Sequence, residues 1–451
     1  MKLALEICGV ILFIANCSGL PASTGGALVV GGTHTFRVTS FGAKGLGTGD
    51  DAGAIRRAIT AAARAGGGQV IFPCGEFPVQ SIAETAPGGR SLLYERGADG
   101  VHLVGQGRCT HLYTTLPQKT VMEFEDSEGV AVSRLRITAQ NAIYVETYGM
   151  DGGSAIRYTG VTHGLITQVE VDGAAAGALY LTKGTSNSTV SHNFIHDTYG
   201  SGIWEDDCGA ASATTCSPNR PPSHNLYDAN TLTDTSLAMP TAMTVDDGGA
   251  SSYATLRGNF ISWTRAPLLG HERIFCIQVG NSSDVDVLSN TCTGSPYAGI
   301  VVTTGGSLPS RHVTIQGNTI RSAGSVKAGG SGIVLYDDPR GAGISFFIIA
   351  DNTIVDAMDH GILLDSAWKQ GGIHDGAIRN NVIRSAAQRS PGAAFGIQVN
   401  RGASVAITEN TIACDGTCVT PGIAMISYAG SDIPDSTNHI SGTLGSRLLI
   451  R

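Results

Sequence analysis

Asn318-Thr319-Ile320, Asn352-Thr353-Ile354, Asn381-Val382-Ile383 and Asn410-Thr411-Ile412 spell one triplet at intervals of 34, 29 and 29 residues. With Leu or Cys allowed at the third place, the triplet runs back through Asn290-Thr291-Cys292, Asn259-Phe260-Ile261, Asn230-Thr231-Leu232 and Asn193-Phe194-Ile195, at 28, 31, 29 and 37 residues. Self-similarity on this scale marks a solenoid, whose units bury their apolar faces only by stacking. Between the triplets a small residue precedes an apolar one: Gly202-Ile203, Ala242-Met243, Cys276-Ile277, Gly299-Ile300, Gly332-Ile333, Gly361-Ile362, Gly396-Ile397 and Gly422-Ile423. Two places further on stand Val245, Val279, Val302, Leu335, Leu364, Val399 and Met425, so the apolar period is two, which is a strand. No helix-length apolar pattern separates these strands, and 61 glycines supply turns. The expected fold is all-β: a right-handed, single-stranded parallel β-helix, one coil per repeat. The Asn amides fall at one corner, where they hydrogen-bond from coil to coil.

These Asn-x-Ile and Gly-Ile repeats resemble the right-handed β-helix superfamily of pectate lyases, polygalacturonases and alginate-acting lyases and epimerases. The N-terminal segments Phe41-Gly42-Ala43-Lys44-Gly45, Asp50-Asp51, Ala54-Ile55-Arg56-Arg57-Ala58-Ile59, Gly66-Gly67-Gly68 and Val70-Ile71-Phe72-Pro73 are similar to the opening of its pectate-lyase-like, polygalacturonase-related group. The resemblance covers most of the chain from about Thr33 to Tyr428. It implies a glycan-active protein without choosing a reaction, because the fold also hosts hydrolases, transferases and adhesins.

One β-helix domain is expected over 33–451, with its coils most regular over 154–428, since a solenoid grows by adding coils rather than cores. Asp51 is expected to cap a short helix from Ala52 to Ala65 that presents Ile55, Ile59 and Ala62 to the first coil and closes the lumen. A net charge of −8 with 15% charged residues argues against nucleic acid, whose binders need a basic face. Lys2, the apolar stretch Leu3 to Ile14 and the small residues up to Gly26 read as an export signal over 1–26, too short for a membrane span. The expected location is therefore secreted or periplasmic, with lipid anchoring at Cys17 disfavoured because Asn16 stands where Gly or Ala belongs. Eight cysteines remain beyond it, an even set that favours disulfides in an exported chain. Proximity suggests Cys208–Cys216 and Cys414–Cys418 and leaves Cys74, Cys109, Cys276 and Cys292 unassigned.

Aligning the coils on their Gly-Ile pair sends the third residue after the Ile outward. That column reads Thr182, Asp206, Asp246, Gly280, Thr303, Tyr336, Asp365, Asn400, and the next reads Lys183, Asp207, Asp247, Asn281, Thr304, Asp337, Ser366, Arg401. Asp206-Asp207 and Asp246-Asp247 thus fall side by side on consecutive coils, about 4.8 Å apart. Stacked carboxylates repel, so one stays protonated or a cation joins them. The plain alternative is that both pairs are strand-ending turns, where Asp is ordinary. Near them are Trp204 for sugar stacking, Tyr199, Glu205, Lys183 one coil earlier, and His271, Arg273, Gln278 and Asn281 one coil later. The same frame sends Glu205 into the lumen, so it is either buried and paired or exposed by a slipped frame. The inserted segment Cys208 to Ser223 would form a wall beside the acids. Asp365 and Asp337-Asp338 read as turn or surface residues.

Glycoside hydrolysis needs a carboxylic acid on the leaving oxygen and a carboxylate to activate water or attack carbon, and Asp206, Asp207, Asp246 and Asp247 supply them without a cofactor. Polygalacturonase-like enzymes use a similar order of Asp strand, Asp-Asp strand and Gly-His turn. Here Gly270-His271 runs on into Glu272, and no Arg-x-Lys follows. Elimination instead needs a base, Lys183, and a cation for the uronate carboxyl, calcium held by the four aspartates. A C5-epimerase adds a proton donor on the opposite face, His196 or Tyr199. The sequence therefore leads to a polysaccharide-cleaving enzyme, with hydrolysis ahead of calcium-assisted elimination or epimerisation, and a glycan-binding surface β-helix as the non-catalytic alternative. Its expected partner is a polysaccharide, with no stable membrane insertion.

Overall fold

A computed structural model describes residues 34–139, 153–206, 220–238, 241–245, 251–268, 273–305, 308–326, 330–366, 372–386, 395–413, 422–426, 436–441 and 448–450. Among the described residues the strands form three parallel sheets of 13, 14 and 13 strands, and the chain passes from sheet to sheet around each coil. The strand at Ile203–Asp206 belongs to the first sheet, Leu226–Asp228 to the second and Thr231–Thr233 to the third.

Register carries the repeat seen in the sequence. Along the first sheet Ile156, Leu179, Ile203, Met243, Ile277, Ile300, Ile333, Ile362, Ile397 and Ile423 stand in one line, all buried in the lumen. The expected outer column holds as well, with Thr182 opposite Asp206, and Gly280, Thr303, Tyr336, Asp365 and Asn400 in succession. The Asn residues sit at the corner between the second and third sheets. Each Nδ2 donates to the next Oδ1 at 2.9–3.0 Å, from Asn193 to Asn230 and onward to Asn410. A ninth member, Asn438, accepts from Asn410 at 2.9 Å; its triplet Asn438-His439-Ile440 is spelled like the others.

The helix Ala52–Arg64 lies over the first coil and buries Ile55, Ala58, Ile59 and Ala62. Asp51 is its N-cap residue, but its carboxylate turns back to accept from the amides of Lys44 and Gly45. The Asp50 carboxylate takes the Ala52 N–H instead, so the expected cap is displaced by one residue. Cys74–Cys109 and Cys276–Cys292 are disulfides, which assigns the four cysteines the sequence left open. Cys208, Cys216, Cys414, Cys418 and the export segment lie outside the described residues. Among the described residues no helix is long and apolar enough to cross a membrane.

Candidate functional site

On the outer face of the first sheet, alternation places Glu123, Arg157, Tyr180, Trp204, Thr244 and Gln278 in register on six successive coils. A solenoid's outer face ordinarily meets water, yet Glu123, Arg157 and Tyr180 are fully buried and Trp204 is 6% exposed. The Glu123 carboxylate holds Arg90 at 2.8 Å, the Ser91 hydroxyl and the Thr159 hydroxyl, with the Arg157 Nε at 3.6 Å. Arg90 and Arg157 hold its pKa below the ordinary carboxylate value against the opposing pull of burial. The Arg157 guanidinium lies 4.8 Å over the Tyr180 ring. Tyr180 in turn packs on Trp204, centroids 5.3 Å apart, and its hydroxyl donates to Asp206 Oδ2 at 3.4 Å. Gly177 makes this stack possible, because a Cβ there would come within 2.8 Å of the Trp204 Cβ.

Among the described residues three polar groups on this face have no hydrogen-bond partner: Trp204 Nε1 and the hydroxyls of Thr182 and Thr244, all buried. They occupy three consecutive coils beside Asp206. An unpaired buried donor costs about 1–3 kcal/mol, so three together mark a surface arranged to hydrogen-bond something other than itself. Exposure rises along the axis, from none at Arg157 and Tyr180 through 5% at Asp206 to half-buried Gln278. This face is therefore more open to solvent toward the later coils.

Of the residues expected at the site, Asp206 and Trp204 lie here, and Lys183 is exposed in the turn one coil before. Gln278 donates to Thr303 at 3.4 Å on the same face, and buried Asn281 accepts from the Gly305 amide, which ties it into the turn after its strand. Arg273 is exposed and Tyr199 half-buried, both before the strands of their coils. Asp207, Asp246, Asp247 and His271 lie outside the described residues.

Glu205 takes the first of the two places left open for it, buried and paired: it points into the lumen, where it accepts from Asn225 Nδ2 at 2.9 Å and from the Tyr227 hydroxyl, so that its expected substrate-binding role on the outer face is corrected. The frame does not slip, and burial raises the pKa of both partners. His196 belongs to the third sheet, where it meets Asp197 at 2.6 Å and Glu170 at 3.4 Å, and so cannot serve a proton to the Asp206 face.

Glu170, Asp172 and His196 form a group with ligand atoms within 4.8 Å of one another. Their chemistry does not suit a resident cation, because Arg108 and Arg136 already neutralise both carboxylates at 2.5 and 2.9 Å. Arg157, Tyr180 and Glu123 were missed by sequence reasoning that followed only the third and fourth columns. The column just after each Ile carried the signal.

Residues 223–369 match the family described as "Right handed beta helix region". Over 72 residues, 16% of this chain, the sequence is 44% identical to Mannuronan C5-epimerase AlgE4 of Azotobacter vinelandii and 43% identical to Alginate lyase 7 of the same organism. The matched stretch is only 12% and 8% of those relatives' lengths. The catalytic unit of a GH87 alpha-1,3-glucanase from Streptomyces thermodiastaticus superposes with a TM-score of 0.59 at 17% identity, covering 92% of this chain and 70% of that one. These likenesses show the fold: the chain winds as a right-handed parallel β-helix.

Proposed function

We propose that this protein modifies a uronate polysaccharide by moving the proton at C5 of a sugar unit, as an epimerase or a lyase. The observation that carries the reading is the contact chain Arg157, Tyr180, Asp206 on one buried outer face. Removing a proton beside a carboxylate requires a cation to hold the charge that develops and a base placed at the carbon. Arg157, fully buried beside Glu123, brings positive charge to this face at one remove, across the Tyr180 ring. The Tyr180 oxygen, linked to the Asp206 carboxylate, has the chemistry for the base, and Trp204 offers an apolar ring for a pyranose. Return of a proton to the opposite face inverts C5, whereas loss of the substituent at C4 breaks the chain. The sequence similarity to a mannuronan epimerase and an alginate lyase supports the same substrate class.

Hydrolysis, placed first on sequence grounds, becomes the second reading. It rests on the pairs Asp206-Asp207 and Asp246-Asp247, of which Asp206 alone is described. Calcium enters the proposal through the oxygen donors of the same aspartates, a set suited to a hard cation. The two disulfides support an exported setting.

The test is to incubate the full chain with polymannuronate, alginate and neutral glucans, with and without a chelator. Proton NMR of the sugar signals, ultraviolet absorbance of unsaturated uronate and reducing ends are recorded together. Inverted C5 centres or new absorbance, lost by about 10²–10⁴-fold in Tyr180→Phe, are expected. Reducing ends without absorbance would transfer the assignment to hydrolysis, and silence on every glycan would leave a binding protein.

A further inference from the structure

The site at Asp206 occupies one stretch of the first sheet's outer face. Further along, the same face carries a second constellation of ionisable and aromatic groups. Tyr336 and Asp365 are register partners on the strands Ile333–Asp337 and Ile362–Ser366, and Asn400 follows Asp365 on the next coil. Asn400 Nδ2 donates to Asp365 Oδ1 at 3.3 Å, and Arg401 Nη1 lies 3.9 Å from the same oxygen. All four are half-buried, so each keeps an edge toward solvent. Asp337, beside them, is instead consumed by its turn: it is 1% exposed and accepts from Thr304 at 2.6 Å and from the Gly343 amide.

His360 gives this constellation its direction. It is 8% exposed, stacked parallel to Phe395 at 8°, and its Nδ1 accepts the Phe395 amide at 3.0 Å. A neutral imidazole with Nδ1 occupied as acceptor carries its proton on Nε2. Among the described residues that N–H has no acceptor within hydrogen-bond reach; Asp359 Oδ1, at 3.9 Å, is too far. Burial lowers the His360 pKa against the opposing charges of Asp359 and Asp365, so the ring stays neutral and its Nε2–H remains a donor. Burial and the charges of Asp338, Asp365 and Asp337 raise the Tyr336 pKa, so its phenol keeps its proton too. Tyr336, Asp365 and Asn400 thus offer a neutral donor, a carboxylate acceptor and an amide in register on three coils, and His360, stacked on Phe395, offers a second neutral donor at the start of the Asp365 strand.

We propose that Tyr336, Asp365, Asn400 and His360 form a second glycan-binding site, which takes the hydroxyl edge of a pyranose. Adjacent sugar hydroxyls both donate and accept, which matches Asp365 as acceptor and His360 and Tyr336 as donors. The acids Asp338, Asp359 and Asp365 repel a carboxylate, so a uronate presents its hydroxyls here and its carboxyl away. Glu205 and Leu364, neighbours of Asp206 and Asp365, are five strand pairings apart along the sheet, or about 24 Å. A long chain can therefore occupy both places while a short one fills either. The identity of the ligand rests on the polysaccharide reading of the first site.

The test uses the full chain carrying Tyr180→Phe, titrated calorimetrically with a mannuronate tetramer and a decamer. Two tetramers per chain are expected, with the decamer binding more tightly than the tetramer. Asp365→Asn combined with Tyr336→Phe should leave one tetramer per chain and weaken the decamer by about tenfold. Asn400→Ala serves as an independent variant, and the His360 Nε2–H resonance should shift on saturation. One tetramer per chain in the parent, with decamer affinity unmoved by these variants, would overturn the second site and leave the first intact. Failure of the parent to bind any oligomer, together with inactivity of the unsubstituted protein on polymer, would overturn the polysaccharide reading itself and remove the ligand assigned here.

Discussion

Glu205 and Asp206 are adjacent in the chain and opposite in role because alternation puts one in the lumen and the other outside. Glu205 has one oxygen satisfied by Asn225 and Tyr227, while Oε1 lacks a well-formed hydrogen bond and has the Ser251 side chain beside it. Burial raises its pKa above the free-chain value of 4.5. The folded state therefore keeps a proton that the unfolded chain releases, and stability falls as pH climbs from 4.5 toward the raised folded value. Glu205→Gln has the same shape and no proton to lose. Its melting temperature should gain on the parent's progressively as pH rises from 4.5 to about 8; a difference flat across that range would mean that Glu205 is already ionised when folded. This residue was half legible, since the frame sent it inward but its partners Asn225 and Tyr227 lie across the insertion. Arg157 and Tyr180 were less legible. One Arg or Tyr per repeat looks like ordinary surface, and only the register that stacks them with Trp204 makes a cluster.

The two sequence motifs turn out to be one packing device seen at two corners. A Cβ on Gly361 would meet Ile383 Cγ2 at 2.5 Å and the Gly396 carbonyl at 2.6 Å; Gly332 and Gly396 face Ile354 and Ile412 in the same way. The Gly of each Gly-Ile pair is thus small because the Ile of the following Asn-x-Ile triplet fills the space. Gly361→Ala should cost about 1–3 kcal/mol by overpacking, read from the urea midpoint; no loss would show that the coils can separate locally. Asn290 accepts from both the backbone and side-chain amides of Asn259 and donates to Leu256 and Asn318. Asn290→Ala should cost about 2–4 kcal/mol, since it orphans buried groups on two coils, and Asn438→Ala at the half-buried last rung should cost less. Equal losses would deny the ladder its dependence on burial. These elements were legible because spacing and residue type both repeat. The displaced helix cap was not, because Asp50 and Asp51 both suit the role and only the backbone around Lys44 decides between them.

At the scale of the molecule, three continuous sheets give each coil direct contact with its two neighbours and with little else, so stability accumulates coil by coil. The disulfides sit differently in that one-dimensional array. Cys74–Cys109 joins the first two coils at the helix-covered end, whereas Cys276–Cys292 links two strands of one central coil, Phe275–Gly280 and Thr291–Thr293. Their separations of 35 and 16 residues imply similar restraint on the unfolded chain, about 3–4 kcal/mol each, so the distinction lies in which coils feel the loss. Replacing Cys74 and Cys109 by Ala should speed amide exchange in the strands from Thr35 to Thr114 and leave the strands beyond Phe275 protected. Replacing Cys276 and Cys292 should loosen coils on both sides of that rung, including Thr241–Val245, which belongs to the first proposed site, and Ala298–Thr304, which lies between the two proposed glycan sites. The second pair of substitutions should therefore weaken a decamer that spans both sites more than a tetramer held at one, while the first pair alters neither. A uniform rise in exchange along the whole chain after either replacement would mean that the solenoid opens as a single cooperative unit, and that no span of coils can hold a long ligand independently of the rest.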